Sequence, residues 1–170
     1  ATVVYAKNNA TAKVVFTAAG DGLTYQWYVK NPGATDYVKS SVKNATYATK
    51  MTAANSGRLV YCVITDKYGH TTKTNKVTMR RQATIVTQPK TVKVKNGATA
   101  KTTVKAAGDG LTYQWYVKNK GAKSFSKSSI KAATYSVKMS TKVNGRQVYC
   151  VVKDKYGKSV KSSTVTLKKK

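Results

Sequence analysis

Few side chains in this sequence can carry reaction chemistry. Its 170 residues hold five acids, all of them Asp, with one His and two Cys. General acid–base pairs, carboxylate cages for Ca²⁺ and glycosidase dyads all need closely placed carboxylates. Five dispersed Asp residues make such sites hard to assemble. His70 stands alone beside Gly69 and reads as an exposed turn residue. Asp21, Asp66, Asp109 and Asp154 lie in Gly-bearing stretches. There an Asp side chain accepts hydrogen bonds from nearby backbone N–H groups and shapes a turn. A Lys–Asn crosslink would need a buried acid beside the pair, which turn-borne Asp residues do not supply. The expectation is a chain that is not an enzyme, with no catalytic residue, no metal site and no cofactor.

The abundant charged type is cationic. Thirty-two Lys+Arg stand against 5 Asp+Glu, a formal charge of +27. Lys90, Lys93, Lys95, Lys101, Lys105, Lys118, Lys120, Lys123, Lys127 and Lys131 fall at outward strand positions or in loops. Such a surface discourages edge-to-edge strand pairing. It also attracts polyanions, such as acidic glycans or anionic lipid. Nucleic acid is not an expected partner, because no recognition motif accompanies the charge.

These residues sit on a repeated framework. A shift of 88 residues aligns the chain with itself without gaps, and 45 of 82 aligned positions are identical. Gly20-Asp-Gly-Leu-Thr-Tyr-Gln-Trp-Tyr-Val-Lys30 recurs as Gly108 to Lys118, and Asp66-Lys-Tyr-Gly69 as Asp154 to Gly157. The counterpart of His70 is Lys158, which argues against a working site at that position. Two domains are expected, 1–82 and 83–170, with charges of +9 and +18. The second opens with Ala83-Thr-Ile-Val-Thr-Gln-Pro89, which has no match at the front of the first. The chain therefore reads as a piece cut inside its first strand. The five or so residues between Met79 and Ile85 lack Gly and Pro. A join of that kind points to a semi-extended pair rather than two freely tumbling domains.

Period-2 alternation dominates each copy. Leu111, Tyr113, Trp115 and Val117 share one face, and Gln114 and Tyr116 the other. Val148, Cys150 and Val152 alternate with Tyr149 and Val151, and Ala133, Tyr135, Val137 and Met139 with polar partners. Turn signals separate the runs, among them Asn96-Gly97, Gly108-Asp-Gly110, Asn144-Gly145 and Tyr156-Gly157. Many short strands in a unit of about 85 residues indicate an all-β, two-sheet sandwich. One local alternative is a helical turn after Lys50 and Lys138, before each Gly-Arg pair.

A Trp in Tyr-Gln-Trp-Tyr, a Tyr-Cys some 35 residues later, and then Val-x-x-Asp-x-x-Gly carry a likeness. The chain resembles tandem bacterial immunoglobulin-like (Ig-like) repeats of Gram-positive, gut Firmicutes-type surface proteins, over essentially its whole length, twice. The resemblance implies two antiparallel Ig-like β-sandwiches and a secreted or cell-wall-attached, extracellular adhesion protein built from many repeats. It names no ligand. Two positions depart from the antibody pattern. Phe16 and Val104 stand where a partner Cys would be, so no intersheet disulfide is expected. Cys62 and Cys150 then read as buried, inert thiols beside Trp27 and Trp115, which form the structural core. The tyrosine-corner positions hold Val60 and Val148, with the Tyr one residue later.

In an Ig sheet the strands bearing Tyr28 and Tyr61 are neighbours, as are those bearing Tyr116 and Tyr149. Each domain should then show an outward Tyr pair flanked by Gln26 or Gln114. Exposed rings beside amide and ammonium donors suit stacking on sugars, which makes these six residues the candidate ligand-binding positions for a host or plant polysaccharide. The competing reading is a cross-strand pair worth about 0.2–1 kcal/mol to the sheet. Tyr68 and Tyr156, at the hairpin tips, are further candidate contacts or simply turn residues. No apolar run is long enough to span a membrane, and the excised pair is expected to be monomeric.

Overall fold

The computed structural model describes residues 2–170. These residues form strands, turns and loops but no helix. They divide into two compact units, Ala1–Gln82 and Ala83–Lys170.

The first unit contains β1 (Thr2–Ala6), β2 (Thr11–Val15), β3 (Thr24–Lys30), β4 (Val38–Lys39), β5 (Thr46–Lys50), β6 (Arg58–Thr65), β7 (Thr71–Lys73) and β8 (Val77–Arg81). Its larger sheet runs in the order β1-β8-β6-β3-β4, and β7 also pairs with β6. The β1–β8 pair is parallel, and the other pairs are antiparallel. β2 and β5 form the opposing two-stranded layer. Alternation sets the facing: in β2, Ala12 and Val14 are buried while Thr11, Lys13 and Val15 are exposed. The core joins Trp27, Val60, Cys62, Val77 and Met79 of the larger sheet to Ala12, Val14 and Tyr47 of the smaller.

The second unit repeats the plan with β9 (Thr84–Thr87), β10 (Val92–Val94), β11 (Thr99–Thr103), β12 (Lys105–Ala107), β13 (Thr112–Lys118), β14 (Ser126–Lys127), β15 (Thr134–Lys138), β16 (Arg146–Lys153), β17 (Ser159–Lys161) and β18 (Val165–Lys169). Its larger sheet is ordered β10-β18-β16-β13-β14, with β17 also on β16. β11 pairs with β15 and β12 with β9. The break at Val104 separates β11 from β12, so one stretch of chain serves two partners.

In each unit the final strand is interrupted, and one hydroxyl residue bridges the gap. Thr74 donates its N–H to the Cys62 carbonyl at 2.9 Å, and its Oγ1 accepts the Cys62 N–H at 2.9 Å. Ser162 does the same for Cys150, at 2.8 Å each way. The buried backbone polar groups of the Cys residue are thereby satisfied where the ladder lapses.

The segments after Lys50 and Lys138 are turns rather than helices. The second holds one short helical turn, with the Ser140 carbonyl accepting from Val143 N–H at 3.1 Å and from Asn144 N–H at 3.0 Å, but it is not continued into a helix. In the first, Asn55 accepts the Thr52 N–H through its side chain and donates to the Lys50 carbonyl, each at 2.8 Å, which closes the turn. The Asp66 and Asp154 hairpins have the expected form. Asp154 Oδ1 accepts from the N–H groups of Tyr156 and Lys158 at 2.9 Å, and Gly157 follows at φ +88°. One expectation fails here. Asp154 is buried, because its other oxygen accepts the Ala83 N–H at 2.9 Å and ties the first strand to the hairpin. With Oδ1 shared by two N–H groups and Oδ2 occupied by a third, this carboxylate is a structural acceptor.

Candidate functional site

The register of β3 against β6 places Trp27 opposite Cys62 and Tyr28 opposite Tyr61. In the second unit Trp115 faces Cys150 and Tyr116 faces Tyr149. Both Trp side chains are fully buried. Their indole N–H groups are spent on backbone carbonyls, Trp27 on Asn44 at 2.7 Å and Trp115 on Ala132 at 2.8 Å. The residues that replace a second Cys pack on this cluster: Phe16 stacks on Trp27 with ring centroids 5.5 Å apart, and Val104 is buried. Cys62 and Cys150 are free and buried. Burial pushes both thiols up, Cys150 to about 11, against a smaller opposing pull from the backbone of Gln26 and Gln114.

On the other face the tyrosines meet. Tyr28 and Tyr61 stack with centroids 5.0 Å apart, and Tyr116 and Tyr149 do the same. A third ring closes each pair from the side. Tyr37 packs edge-on against Tyr61 at 4.9 Å, and Phe125 against Tyr149 at 4.8 Å. Lysines lie over these clusters: Lys73 is 4.3 Å from the Tyr61 centroid and Lys161 is 4.0 Å from that of Tyr149. These are cation–π distances. Loss of hydration, then the neighbouring Tyr28 and Tyr37, hold the Tyr61 hydroxyl above its ordinary range. All six rings are half-buried.

Gln26 and Gln114 flank the pairs but are occupied. Gln26 donates to the carbonyls of Trp27 and Ser40 at 2.9 and 3.0 Å, and its Oε1 accepts from Lys43. Gln114 does the same with Trp115, Ser128 and Lys131. Each Gln therefore fastens the loop after the short edge strand to the sheet. Beside them, Gln114, Tyr116, Lys127, Lys131, Val151 and Lys153 line a shallow cleft of about 410 Å³.

Sequence reasoning did not find the third rings or the lysine caps. Their signal was present: Tyr37 and Phe125 are aromatic at equivalent positions, and Lys73 and Lys161 correspond. It also missed a polar bracket. Arg58 donates from Nε to Asn31 Oδ1 and from Nη1 to the Tyr47 hydroxyl, both at 2.8 Å. Arg146 repeats this with Asn119 and Tyr135 at 2.7 and 2.9 Å. The bracket crosses from the larger sheet to the smaller and gives each core Tyr a hydrogen-bond partner.

The hairpin residues are peripheral. Tyr68 is exposed, with its hydroxyl 3.3 Å from Asp21 Oδ2. Tyr156 is half-buried, its hydroxyl 3.0 Å from Asp109 Oδ2. His70 is exposed and touches Asp66 Oδ2 through Nδ1 at 3.0 Å. Partial burial works to raise Asp66, but hydrogen bonds from the His70 ring and from nearby N–H groups prevail and hold it below the ordinary carboxylate range. Among the described residues no group of three or more His, Cys, Asp or Glu side chains could hold a metal ion. Among the described residues no helix is long and apolar enough to cross a membrane.

The two-layer units, with Trp opposite Cys on adjacent strands, define tandem Ig-like sandwiches without an intersheet disulfide. Solved structures agree on the fold. The N-terminal four Ig domains of Dscam1 isoform 6.9 match 99% of this chain at a TM-score of 0.56 and 15% identity. Those of isoform 8.4 match 99% at 0.52 and 15%. A three-domain Ig segment of titin, in a Glu-to-Ala mutated variant, matches all of the chain at 0.52 and 9%. The chain spans about 43% of the Dscam1 segments and 63% of the titin one. No protein-family model matches, and no curated protein sequence does either.

Proposed function

We propose that this chain is a non-catalytic, extracellular repeat module of a bacterial surface protein, a spacer that also holds weakly to anionic surfaces. The observation that carries the reading is a framework whose few acids are engaged in turns while its Lys side chains are presented outward. Lys90, Lys93, Lys95, Lys101, Lys105, Lys120, Lys123, Lys127 and Lys131 are all exposed. Charges of that kind attract teichoic acid or acidic glycans over about 10 Å at 0.1 M salt. They impose no geometry, so the attachment is broad and reversible. A spacer needs rigid domains, and the Trp–Cys core and the Arg bracket supply that rigidity.

A second reading, a carbohydrate-binding module, has the cleft beside Gln114 and Tyr116 in its favour. Against it stand rings already covered by Lys73, Lys161 and the third aromatic, and glutamines whose hydrogen bonds are committed. Affinity electrophoresis against acidic and neutral polysaccharides at two salt concentrations separates the two. Salt-sensitive retention by acidic polymers supports the spacer with an anionic hold. Salt-resistant retention by one neutral glycan supports the sugar module.

A further inference from the structure

One cleft in the second unit concentrates lysine. Lys127, Lys131 and Lys153 all line the shallow cleft of about 410 Å³ beside Gln114 and Tyr116. That volume lies in the small-ligand range of about 300–1,000 Å³. The three ammonium groups arrive from different places. Lys127 lies on β14 opposite Tyr116, Lys153 ends β16 opposite Thr112, and Lys131 follows in the loop after β14. No acid lines the cleft. Among the described residues none of the three lysines forms an ion pair. The two acids of this unit are engaged at the hairpin: Asp109 accepts from the Tyr156 hydroxyl, and Asp154 from backbone N–H groups.

Lys131 is held in place. The Gln114 amide donates to the carbonyls of Trp115 and Ser128 at 2.8 Å each, which leaves its Oε1 to accept from Lys131. The ammonium is thereby fixed without being neutralised, because an amide oxygen carries no net charge. An ammonium has three donors, so two remain for a ligand. The first unit supplies the comparison. Gln26 and Lys43 repeat the post, and Lys39 stands opposite Tyr28 as Lys127 stands opposite Tyr116. The third lysine is replaced: Thr65 takes the place of Lys153, opposite Thr24.

We propose that this cleft of the second unit is a discrete oxyanion site for a saccharide bearing two or more sulfate or phosphate ester groups. The inference rests on the anionic-hold reading and gives it a place and a ligand class. An ester group of this kind presents three acceptor oxygens in separate directions. One group can therefore bridge ammonium donors that come from different strands. A carboxylate offers two oxygens in one plane and bridges fewer. Lysine is a compact charge with three rotatable donors, whereas arginine is the side chain that matches a carboxylate edge-on. Val151 and Tyr116 in the lining offer apolar surface to the body of the sugar. The first unit, with two of the three lysines, is the weaker copy.

The test is a titration of the whole chain with a trisulfated disaccharide in about 0.15 M salt, followed by calorimetry and amide resonances. One saturable equivalent is expected, with larger shifts at the Gln114 side-chain amide and Val151 than at Gln26 and Val63. Lys153→Thr should weaken binding about fivefold, the upper range for an exposed ion pair. Lys101→Thr removes the same charge from the opposing sheet and should leave binding unchanged. Thr65→Lys completes the triad in the first unit and should raise the stoichiometry to two. Competition by fructose 1,6-bisphosphate would assign the site to ester oxyanions of both kinds, and its failure to compete would assign the site to sulfates; either fits. Equal affinity for digalacturonate, equal shifts in the two units, equal cost of Lys153→Thr and Lys101→Thr, or one site still after Thr65→Lys would overturn the proposal. Retardation of the parent chain by acidic polymers at low salt reports the broader reading separately, so retardation without these signs removes the cleft alone.

Discussion

The rings of Tyr28 and Tyr61 lie nearly parallel, their centroids 5.0 Å apart and their planes 7° from one another. They sit directly opposite across β3 and β6, so the stack is a property of the sheet register. Offset aromatic pairs contribute about 0.5–1.5 kcal/mol beyond area burial. A double-mutant cycle with Tyr28→Ala and Tyr61→Ala, measured by denaturant unfolding of the first unit, should return a coupling energy of that size. A coupling near zero would mean that each ring is held by its lysines and loops instead. The double variant should keep whatever polysaccharide retention the parent chain has.

The third ring invites a simpler substitution. The Tyr37 hydroxyl is buried without a hydrogen-bond partner, while Phe125 stands at the same place in the second unit. Leaving a buried polar group unsatisfied costs about 1–3 kcal/mol. Tyr37→Phe should therefore leave the first unit as stable as before or more so, read from its urea midpoint. A clear loss would show that the hydroxyl has a partner in water.

The thiols predict a pH dependence. Burial raises Cys150 to about 11, so the folded unit holds this proton more tightly than the unfolded chain does. The stability tied to it is complete below the unfolded thiol value of about 8.5. It is lost as pH climbs from there through about 11. Cys150→Ala should flatten that part of the alkaline decline relative to the parent. Native alkylation at neutral pH should add nothing, and two additions should appear on non-reducing denaturation.

The Arg bracket predicts a packing and polar loss together. Arg146→Met keeps the aliphatic stem but strands the Asn119 side chain and the Tyr135 hydroxyl. Each newly unpaired group costs about 1–3 kcal/mol, so the second unit should lose a few kcal/mol and Arg146→Lys should recover only part. Thermal unfolding of both variants checks this, and a neutral Arg146→Met would remove the bracket from the account.

Much of this was legible in the residues because strand alternation has a period of two. Trp27 and Cys62 had to point inward together, and Tyr28 and Tyr61 outward together, once their strands were neighbours. The missing Cys partner could likewise be seen at Phe16 and Val104. Loop-borne partners escaped the reading. Tyr37 and Phe125 belong to irregular segments, where spacing does not fix direction. Lys73 and Lys161 cap the rings from the next strand of the hairpin, a placement set by the β6–β7 and β16–β17 register rather than by alternation within one strand. Asp154 reads from the sequence as a turn acid only, and its burial depends on Ala83, 71 residues away. The Arg58–Tyr47 bracket crosses between sheets, a relation that no single-strand pattern reveals.

The lysine surface is the centre of the functional reading, and affinity electrophoresis of the intact chain tests it most directly. The gels would contain teichoic acid, an acidic polysaccharide or a neutral one, each at low and at high salt. Retardation by the acidic polymers that disappears at high salt, with none by the neutral glycan, is the predicted result. Lys127→Gln, Lys131→Gln and Lys153→Gln together should weaken that retardation while the fold persists. Salt-resistant retardation by the neutral glycan, or none by any polymer at low salt, would contradict the account.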